Sequence, residues 1–342
     1  MYFFGIYLPV IHLSHTNRFA LLFIPYSTST FRSPYWIQIH GTLGKSIDVC
    51  DEGADDLRMK LSVFTVCTPD LTPEQLITAA TQAGIDGIEW RFASIPEEAL
   101  AEEPSFWRHN RCSIDPEHTE PSVSIIKQSV QQHQLESIAL VPYLKCGDLD
   151  STHHAFATAQ QLGTSMMRVG VPMYDRTRHY RDLDAEATRY LSSVQELAQQ
   201  YGIQALIETH HQTIAASASA ALRLVEHLDP EHIGVLYDPG NMVHEGYENY
   251  RMGLQLLGPY LAHVHVKNAA WVQQDQQWHC QWAPMLEGIV PWQQIISDLQ
   301  SVGYDGYLGV EDFSGQMDSF EMLQYFAGSF RELAGQYIKE GQ

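Results

Sequence analysis

The sequence predicts an α/β protein that folds as a single (β/α)8 barrel. From Lys60 onward, short apolar and β-branched runs alternate with helical patterns, which is typical of βα units around a parallel sheet. The alternation yields eight strands within residues 59–342, a length close to the ~250 residues of such barrels. No Gly-x-Gly-x-x-Gly sequence follows the first strand, so the main signature of an open dinucleotide-binding sheet is missing.

Each predicted strand is a run of about six residues that is bounded by turn or helix-ending residues. The eight strands are predicted at 61–66, 86–91, 137–143, 165–170, 203–208, 233–238, 260–266 and 306–311. Two of the connections are long, 92–121 after the second strand and 268–290 after the seventh. Long connections in a barrel are expected to lie over the face that carries the active site, so these two should select the substrate.

Proline and glycine mark the ends of the predicted helices. Thr72 and Pro73 supply an N-cap and a first helical residue, and Gly84 ends that helix. Pro291 opens the last helix before the eighth strand, and Gly303 closes it. Three further helices are expected to end just before a strand at Gly163, Gly202 and Gly258.

Residues 1–58 differ from the rest of the chain. They have no basic start followed by an apolar stretch, as a secretory signal would have, and residues 1–47 contain no Asp or Glu. A strand signal begins directly after Met59. We expect 1–58 to be a poorly structured extension, or not part of the native protein, and 59–342 to be the complete functional protein. A targeting peptide is the weaker alternative.

The composition disfavours several classes of function. The chain has 20 Lys and Arg against 41 Asp and Glu, a net charge of −21, which repels phosphate backbones and argues against nucleic acid as a partner. No apolar run reaches the ~18 residues of a membrane span. The five cysteines are odd in number and lack Cys-x-x-Cys spacing, which indicates a reducing compartment and predicts a cytoplasmic protein.

Four polar side chains stand at the ends of the fifth to eighth predicted strands, where barrel active sites lie. They are Glu208, Asp238, His265 and Glu311. Three converging carboxylates need a compensating cation, and three oxygens with one imidazole suit Mn²⁺, Mg²⁺ or Co²⁺. The alternatives are carboxylates that cap the next helix and a hydrogen-bonded core histidine. His263 competes as a ligand but lies deeper in its strand.

From Met59 to about Ile338 the chain resembles the xylose isomerase-like TIM barrel superfamily of sugar (phosphate) isomerases and epimerases. The resemblance rests on these strand ends and on the segment before the last strand: Ile207-Glu208, Asp238-Pro239-Gly240-Asn241, His265-Val266-Lys267-Asn268, Leu286-Glu287-Gly288-Ile289-Val290-Pro291-Trp292 and Gly303-Tyr304-Asp305-Gly306-Tyr307. By resemblance to D-tagatose 3-epimerases, Glu208, Asp238, His265 and Glu311 would hold one divalent metal ion. Glu208 and Glu311 would act as the acid–base pair.

The implied reaction is isomerisation or epimerisation of a sugar or polyol, by proton abstraction next to a carbonyl through a metal-bound enediolate. Five further residues are expected to contact the substrate: Arg168, His210, Lys267, Glu89 and Arg91. A salt bridge of Arg168 within the barrel mouth and an internal Glu89–Arg91 pair are the structural alternatives for those residues. No glycine-rich phosphate loop is evident, which favours unphosphorylated substrates, and the protein could form a homo-oligomer.

Two other reactions suit the same metal ligands. The runner-up is a lyase, similar to inosose or 3-dehydroshikimate dehydratases, in which a β-hydroxyl leaves after proton removal. The remote alternative is a nuclease like the apurinic-site endonucleases, which needs extra histidines at the second and third strand ends. Here those ends read Glu89-Trp90-Arg91 and Val141-Pro142-Tyr143, and Asn241 stands where those nucleases have another histidine.

Overall fold

The computed structural model describes residues 59–340, with side chains described for 59–333. The expectation about the 1–58 extension lies outside the described residues. Within them no helix combines the length and the apolar character that crossing a membrane requires.

The eight predicted strands form one closed parallel barrel, which confirms the predicted fold. Around the barrel the order is β1-β10-β7-β6-β5-β4-β3-β2, and β2 neighbours β1. The barrel strands are β1 (Lys60–Phe64), β2 (Gly87–Phe92), β3 (Glu136–Pro142), β4 (Met166–Arg168), β5 (Gln204–Glu208), β6 (Ile233–Tyr237), β7 (Leu261–Val266) and β10 (Tyr307–Val310). Because all eight run parallel, their carboxyl ends meet at one rim of the barrel.

Helices surround the barrel and bury one face each against it. They are α1 (Pro73–Ala83), α2 (Ser122–Gln132), α3 (Leu149–Leu162), α4 (Tyr180–Tyr201), α5 (Ala218–Val225), α6 (Pro239–Met242), α7 (Tyr250–Leu257), α8 (Trp292–Ser301) and α9 (Ser319–Glu340). The first helix begins as predicted: Thr72 Oγ1 accepts from the Gln75 amide, and the Gln75 side chain accepts from the Thr72 amide. Gly84 ends it at φ 72°, where a left-handed residue is required.

The largest difference from the predicted strands is at β4, which has three residues instead of six. After Arg168 the chain leaves the ladder and packs against the segment that follows β3. Gly170 permits this approach, because a Cβ there would overlap the carbonyl oxygen of Leu144. The other strands end within two residues of their predicted limits.

The connection 268–290 contains a β-hairpin that the sequence analysis missed. Strands β8 (Asn268–Gln274) and β9 (Gln277–Ala283) pair antiparallel along their whole length. Asp275 and Gln276 form the turn with φ of 50° and 62°, the left-handed pair that a two-residue hairpin turn requires. The strands are rich in glutamine and the turn has no glycine, so both the strand signal and the turn signal are weak in the sequence.

The carboxyl-terminal half of the barrel interior is polar, although the rest of the core is apolar. Large apolar side chains such as Trp90, Phe156 and Trp292 fill the interfaces between strands and helices. Near the rim, the buried charged and imidazole side chains are Glu89, Arg91, Glu208, Asp238, His263, His265, Lys267 and Glu311. Burial of charge is costly unless partners compensate it, so this cluster marks the candidate site.

Candidate metal centre

Four adjacent strands position the predicted ligands. Glu208 is the last residue of β5, Asp238 follows β6 directly, His265 lies near the end of β7, and Glu311 follows β10 directly. One ligand atom from each side chain lies within 4.8 Å of the others, and all four side chains are buried. The structure therefore brings together the four residues that the sequence singled out, while their role as ligands stays a prediction.

The imidazole of His265 points one nitrogen into the carboxylates. Its Nδ1 lies 3.6 Å from Glu208 Oε1, 3.9 Å from Asp238 Oδ2 and 3.5 Å from Glu311 Oε2. This nitrogen is buried and has no hydrogen-bond partner among the described residues. A buried polar atom left unpaired costs about 1–3 kcal/mol, so the arrangement suits a ligand that the nitrogen can bind.

One partly buried and one buried cation contact the carboxylates. Arg168 Nη1 lies 2.7 Å from Glu208 Oε2, which is the salt bridge at the barrel mouth that the sequence analysis considered. Lys267 Nζ lies 2.9 Å from Asp238 Oδ2 and also contacts Glu311. These pairs offset part of the negative charge of the cluster.

Asn241 was not predicted as a site residue, yet it links the cluster. Its Nδ2 donates to Glu208 Oε1 at 3.0 Å and to Asp238 Oδ2 at 2.8 Å, and its Oδ1 accepts from Lys267 at 3.1 Å. Asp238 Oδ1 accepts from the Asn241 amide and caps α6, so Asp238 serves both as a helix cap and as part of the cluster. The spacing of three residues after a capping aspartate is the signal that could have identified Asn241.

The pKa shifts follow from burial and these pairs. Burial, together with the charges of Glu311 and Glu208, raises the pKa of Asp238 to about 6 despite Lys267. Burial also disfavours charge on Glu208, but Arg168 and His265 outweigh it and hold its pKa well below the usual range. For Lys267 the carboxylates of Asp238 and Glu311 outweigh burial and raise its pKa. Three oxygens, one imidazole nitrogen and an excess of negative charge fit a divalent metal ion.

Glu89 and Arg91 do not form the internal pair considered from the sequence. Glu89 faces Ser62, His263 and His265, whereas Arg91 donates to Ser113 Oγ at 2.6 Å and to the Trp107 carbonyl oxygen at 3.0 Å. Both side chains are enclosed by protein. Neither residue is among those that line the cavity at the rim, and their role in substrate binding stays a prediction.

A cavity of about 610 Å³ opens above the candidate metal centre at the rim. The polar residues that line it are Arg168, Glu208, His210, Asn241, Lys267 and Glu311. The aromatic residues that line it are Trp107, Tyr143, Trp282 and Phe313. Trp107 and Trp282 come from the two long connections, so these segments do lie at the predicted face. Three of the expected substrate contacts, Arg168, His210 and Lys267, are part of the wall.

Three histidines stack beside the cavity, of which only His210 was predicted as a site residue. The ring centroids of His210 and His211 are 4.3 Å apart, and those of His211 and His244 are 4.2 Å apart. His211 Nδ1 lies 3.2 Å from Asn241 Oδ1. Burial and the neighbouring imidazoles lower the pKa of His211 to about 3, which keeps the centre of the stack neutral. The sequence gives no indication that these three imidazole rings stack, because such contacts between side chains are not visible in a local pattern of residues.

Comparison with known proteins identifies a matching family and similar solved structures. The family profile described as xylose isomerase-like TIM barrel matches residues 77–327. A search of curated proteins yields no match. Among solved structures, the chain is similar to the IOLI protein with a bound zinc atom, with TM-score 0.63, 16% identity, and coverage of 82% of this chain and 99% of that one.

Two further structures represent the enzymes that share this architecture. The probable 3-DHS dehydratase AsbF from Bacillus anthracis aligns with TM-score 0.59 and 18% identity, over 80% of this chain and 99% of that one. The D-allulose 3-epimerase from Methylomonas sp. aligns with TM-score 0.58 and 15% identity, over 83% of this chain and 98% of that one. At these identities the likeness concerns the fold.

Proposed function

The chain belongs to the xylose isomerase-like TIM barrel family, and from that premise we propose that it is a divalent-metal-dependent isomerase or epimerase of sugars or polyols. The observation that carries the proposal is the buried set of three carboxylates and one imidazole within 4.8 Å of one another. It lies beneath a cavity whose polar lining residues offer groups that bind hydroxyls. A similar structure described as an epimerase supports the proposed reaction, and one described with a bound zinc atom supports the proposed metal ion.

Glu208, Asp238, His265 and Glu311 would hold the metal ion. When bound, the ion supplies Lewis acidity, which polarises a substrate carbonyl and stabilises the negative charge that develops as a neighbouring C–H proton leaves. Asn241 and Arg168 orient the Glu208 carboxylate through direct contacts at 3.0 and 2.7 Å. Lys267 Nζ contacts the Glu311 carboxylate and offsets part of its charge.

Glu208 and Glu311 are proposed as the acid–base pair. They lie on β5 and at the end of β10, with β6 and β7 between them in the barrel. Their carboxylates can therefore approach a bound carbon from different sides. The pKa of Glu311 is lowered because Lys267 and His265 outweigh burial, so this carboxylate is ionised and can accept a proton. Return of the proton by the opposite carboxylate inverts the carbon, and return to the adjacent carbon isomerises the sugar.

A lyase on the same residues is the second candidate function. If a hydroxyl leaves from the carbon next to the deprotonated one, the product is a dehydrated ring, as in an inosose or 3-dehydroshikimate dehydratase. Two observations favour this candidate: a similar structure is described as a probable 3-DHS dehydratase, and four aromatic residues line the cavity. Flat aromatic faces pack well against the apolar face of a cyclic substrate.

The identity of the ion, the type of substrate, the location and the metabolic role are proposals as well. We propose Mn²⁺, Mg²⁺ or Co²⁺ as the ion, an unphosphorylated substrate, a cytoplasmic location and a role in carbohydrate metabolism. The four cysteines in the part of the chain that the structure describes are free thiols, which agrees with a reducing compartment.

The test combines metal analysis of the purified protein with a substrate panel in D₂O. Ketoses, inososes and 3-dehydroshikimate are incubated with the protein and Mn²⁺, and the products are followed by NMR and mass spectrometry. We expect deuterium to enter a carbon next to the carbonyl, with epimer or isomer formation for the first function and loss of water for the second. Asp238→Asn should abolish both, whereas Glu196→Gln, an exposed control on α4, should not. A protein that binds no divalent ion and exchanges no proton would refute the proposal.

A further inference from the structure

A buried carboxylate that takes no part in the proposed reaction lies behind the candidate metal centre. Glu89 in β2 places Oε2 2.8 Å from His265 Nε2. Its Oε1 accepts from Ser62 Oγ at 2.9 Å and lies 2.9 Å from His263 Nε2. Because β1 and β10 stand between β2 and β7, the Glu89 side chain reaches across the interior of the barrel.

This contact determines which nitrogen of His265 carries the proton. A carboxylate only accepts hydrogen bonds when ionised, so Nε2 must donate to Glu89. In the neutral ring, which is the form that binds a metal ion, the lone pair then stands on Nδ1, the nitrogen that lies 3.5–3.9 Å from Glu208, Asp238 and Glu311. A neutral imidazole binds a metal through its unprotonated nitrogen, and the hydrogen bond of the other nitrogen fixes the tautomer.

Packing against Phe64 also restricts the orientation of the His265 ring. Phe64, the last residue of β1, stacks on His265 with ring centroids 5.7 Å apart and an interplanar angle of 18°. Packing on one face and the Glu89 hydrogen bond at one edge together leave the ring a single orientation.

Gly309 in β10 gives independent support, because it makes room for the Glu89 carboxylate. A Cβ at this position would overlap Glu89 Oε1 and would lie 2.9 Å from Ser62 Oγ and 3.1 Å from His263 Nε2. Glycine inside a strand costs roughly 0.5–1 kcal/mol relative to alanine. The backbone of β10 is therefore compatible with the carboxylate only because residue 309 has no side chain.

We propose that Glu89 is a positioning residue: it holds His265 as the Nε2–H tautomer with Nδ1 directed at the three carboxylates, and so sets the affinity of this centre for a divalent ion. The proposal rests on the proposed function in that it takes His265 as a metal ligand. Loss of such an outer hydrogen bond costs about 10–100-fold in metal affinity in comparable sites.

The experiment uses the full chain with Glu89→Gln and, as a matched control, Glu136→Gln, an exposed glutamate in β3 at the other end of the barrel. Titration calorimetry with MnCl₂ measures affinity. Nitrogen NMR of ¹⁵N-histidine-labelled, metal-free protein reads the tautomer of His265, which is assigned with His265→Gln. We expect Glu89→Gln to weaken Mn²⁺ binding about 10–100-fold and to mix the two tautomers, whereas Glu136→Gln changes neither.

Two further variants keep the proposal testable if Glu89→Gln does not fold. Ser62→Ala removes one hydrogen-bond donor to Glu89 and should weaken Mn²⁺ binding less than Glu89→Gln does. Gly309→Ala should displace the Glu89 carboxylate and therefore weaken Mn²⁺ binding more than Ser62→Ala does. A neutral wild-type His265 ring with its only proton on Nδ1, or unchanged Mn²⁺ affinity in the folded variants, would overturn the proposal. If wild-type protein binds no divalent ion, the proposed function fails, while the tautomer of metal-free His265 still decides whether Glu89 positions the ring.

Discussion

Individual charges support the proposal that the barrel interior binds a cation. Glu89, Glu208, Asp238 and Glu311 are four buried carboxylates, and Arg168 and Lys267 are the cations that contact three of them. With His265 neutral, as it would be when it binds a metal ion, these four carboxylates exceed the two cations by two negative charges. A single divalent ion would balance the cluster, which is the physical reason for the proposed site.

Substitution of Glu311 by glutamine tests its assigned role. Gln has nearly the same volume but cannot accept the substrate proton, so turnover should fall at least about 100-fold. The fold should be retained, because the change removes one of several mutually repelling charges. Initial rates measure the loss, and circular dichroism with a thermal melt verifies the fold. Glu196→Gln serves as the control, and near-normal turnover in Glu311→Gln would contradict the role.

Lys267→Met tests whether this ammonium competes with a metal ion for the carboxylates. Its Nζ contacts Asp238 and Glu311, so its removal leaves their charge less compensated. Mn²⁺ affinity should rise on the order of tenfold, which corresponds to ~1.4 kcal/mol, while turnover falls because a cavity-wall cation is lost. Titration calorimetry measures the affinity, with exposed Lys145→Met as the control. Weaker Mn²⁺ binding would instead mean that Lys267 holds the ligands in place.

Among the elements, the β8–β9 hairpin matters most for the substrate. It carries Trp282 to the cavity, where the ring stands 4.8 Å from His244 and 5.8 Å from Phe313 between centroids. Lys267 Nζ lies 4.9 Å from the centroid of the same ring. The hairpin thereby adds an aromatic ring to the cavity wall, directly beside the Lys267 ammonium.

Trp282→Ala should therefore affect substrate binding more than stability. Loss of the aromatic face should raise KM about tenfold, since such contacts are worth ~1–2 kcal/mol when desolvated. Steady-state kinetics on the substrate found in the panel measure KM. Trp278→Ala is the matched control, because Trp278 is on the same strand but 63% exposed and away from the cavity. Equal effects of both variants would show that the hairpin acts only through its overall structure.

The capping box of α1 allows a test of the local structure that the sequence predicted. Thr72→Ala removes the hydrogen bond from the Gln75 amide and should lower the free energy of unfolding by about 1 kcal/mol. Thr78→Ala in the middle of the same helix is the control, since its side chain is exposed and alanine favours helix. Denaturant titrations compare the two, and an equal or larger loss for Thr78→Ala would contradict the capping assignment.

At the scale of the whole molecule, the candidate metal centre brings together side chains from the ends of four neighbouring strands, β5, β6, β7 and β10. A divalent ion bound only by the folded chain should stabilise it, by about 2.7 kcal/mol when the free ion is at 100 times its Kd. The thermal midpoint should rise with Mn²⁺ and return after chelation with EDTA. Asp238→Asn should lose this shift, and a shift of equal size in that variant would place the ion elsewhere.

Much of this architecture is predictable because its signals are local. Alternating strands and helices, the Thr72-Pro73 start and the glycine stops lie within a few residues of each other, and they predict the barrel. Parallel closure then places every strand end on one rim, so Glu208, Asp238, His265 and Glu311 could be grouped without coordinates. The β8–β9 hairpin was not predicted because its glutamine-rich strands have a weak local preference for β structure.

The sequence by itself thus determined the barrel and the four side chains at its candidate centre, because both follow from the order and ends of the strands. Only the tertiary structure decided how these side chains are held. Glu89 meets His265 across 176 positions of sequence, Gly309 leaves room for the Glu89 carboxylate, and Asn241 links two carboxylates. Such contacts depend on distances across the barrel interior, which closure of the sheet creates and which no local pattern of residues encodes.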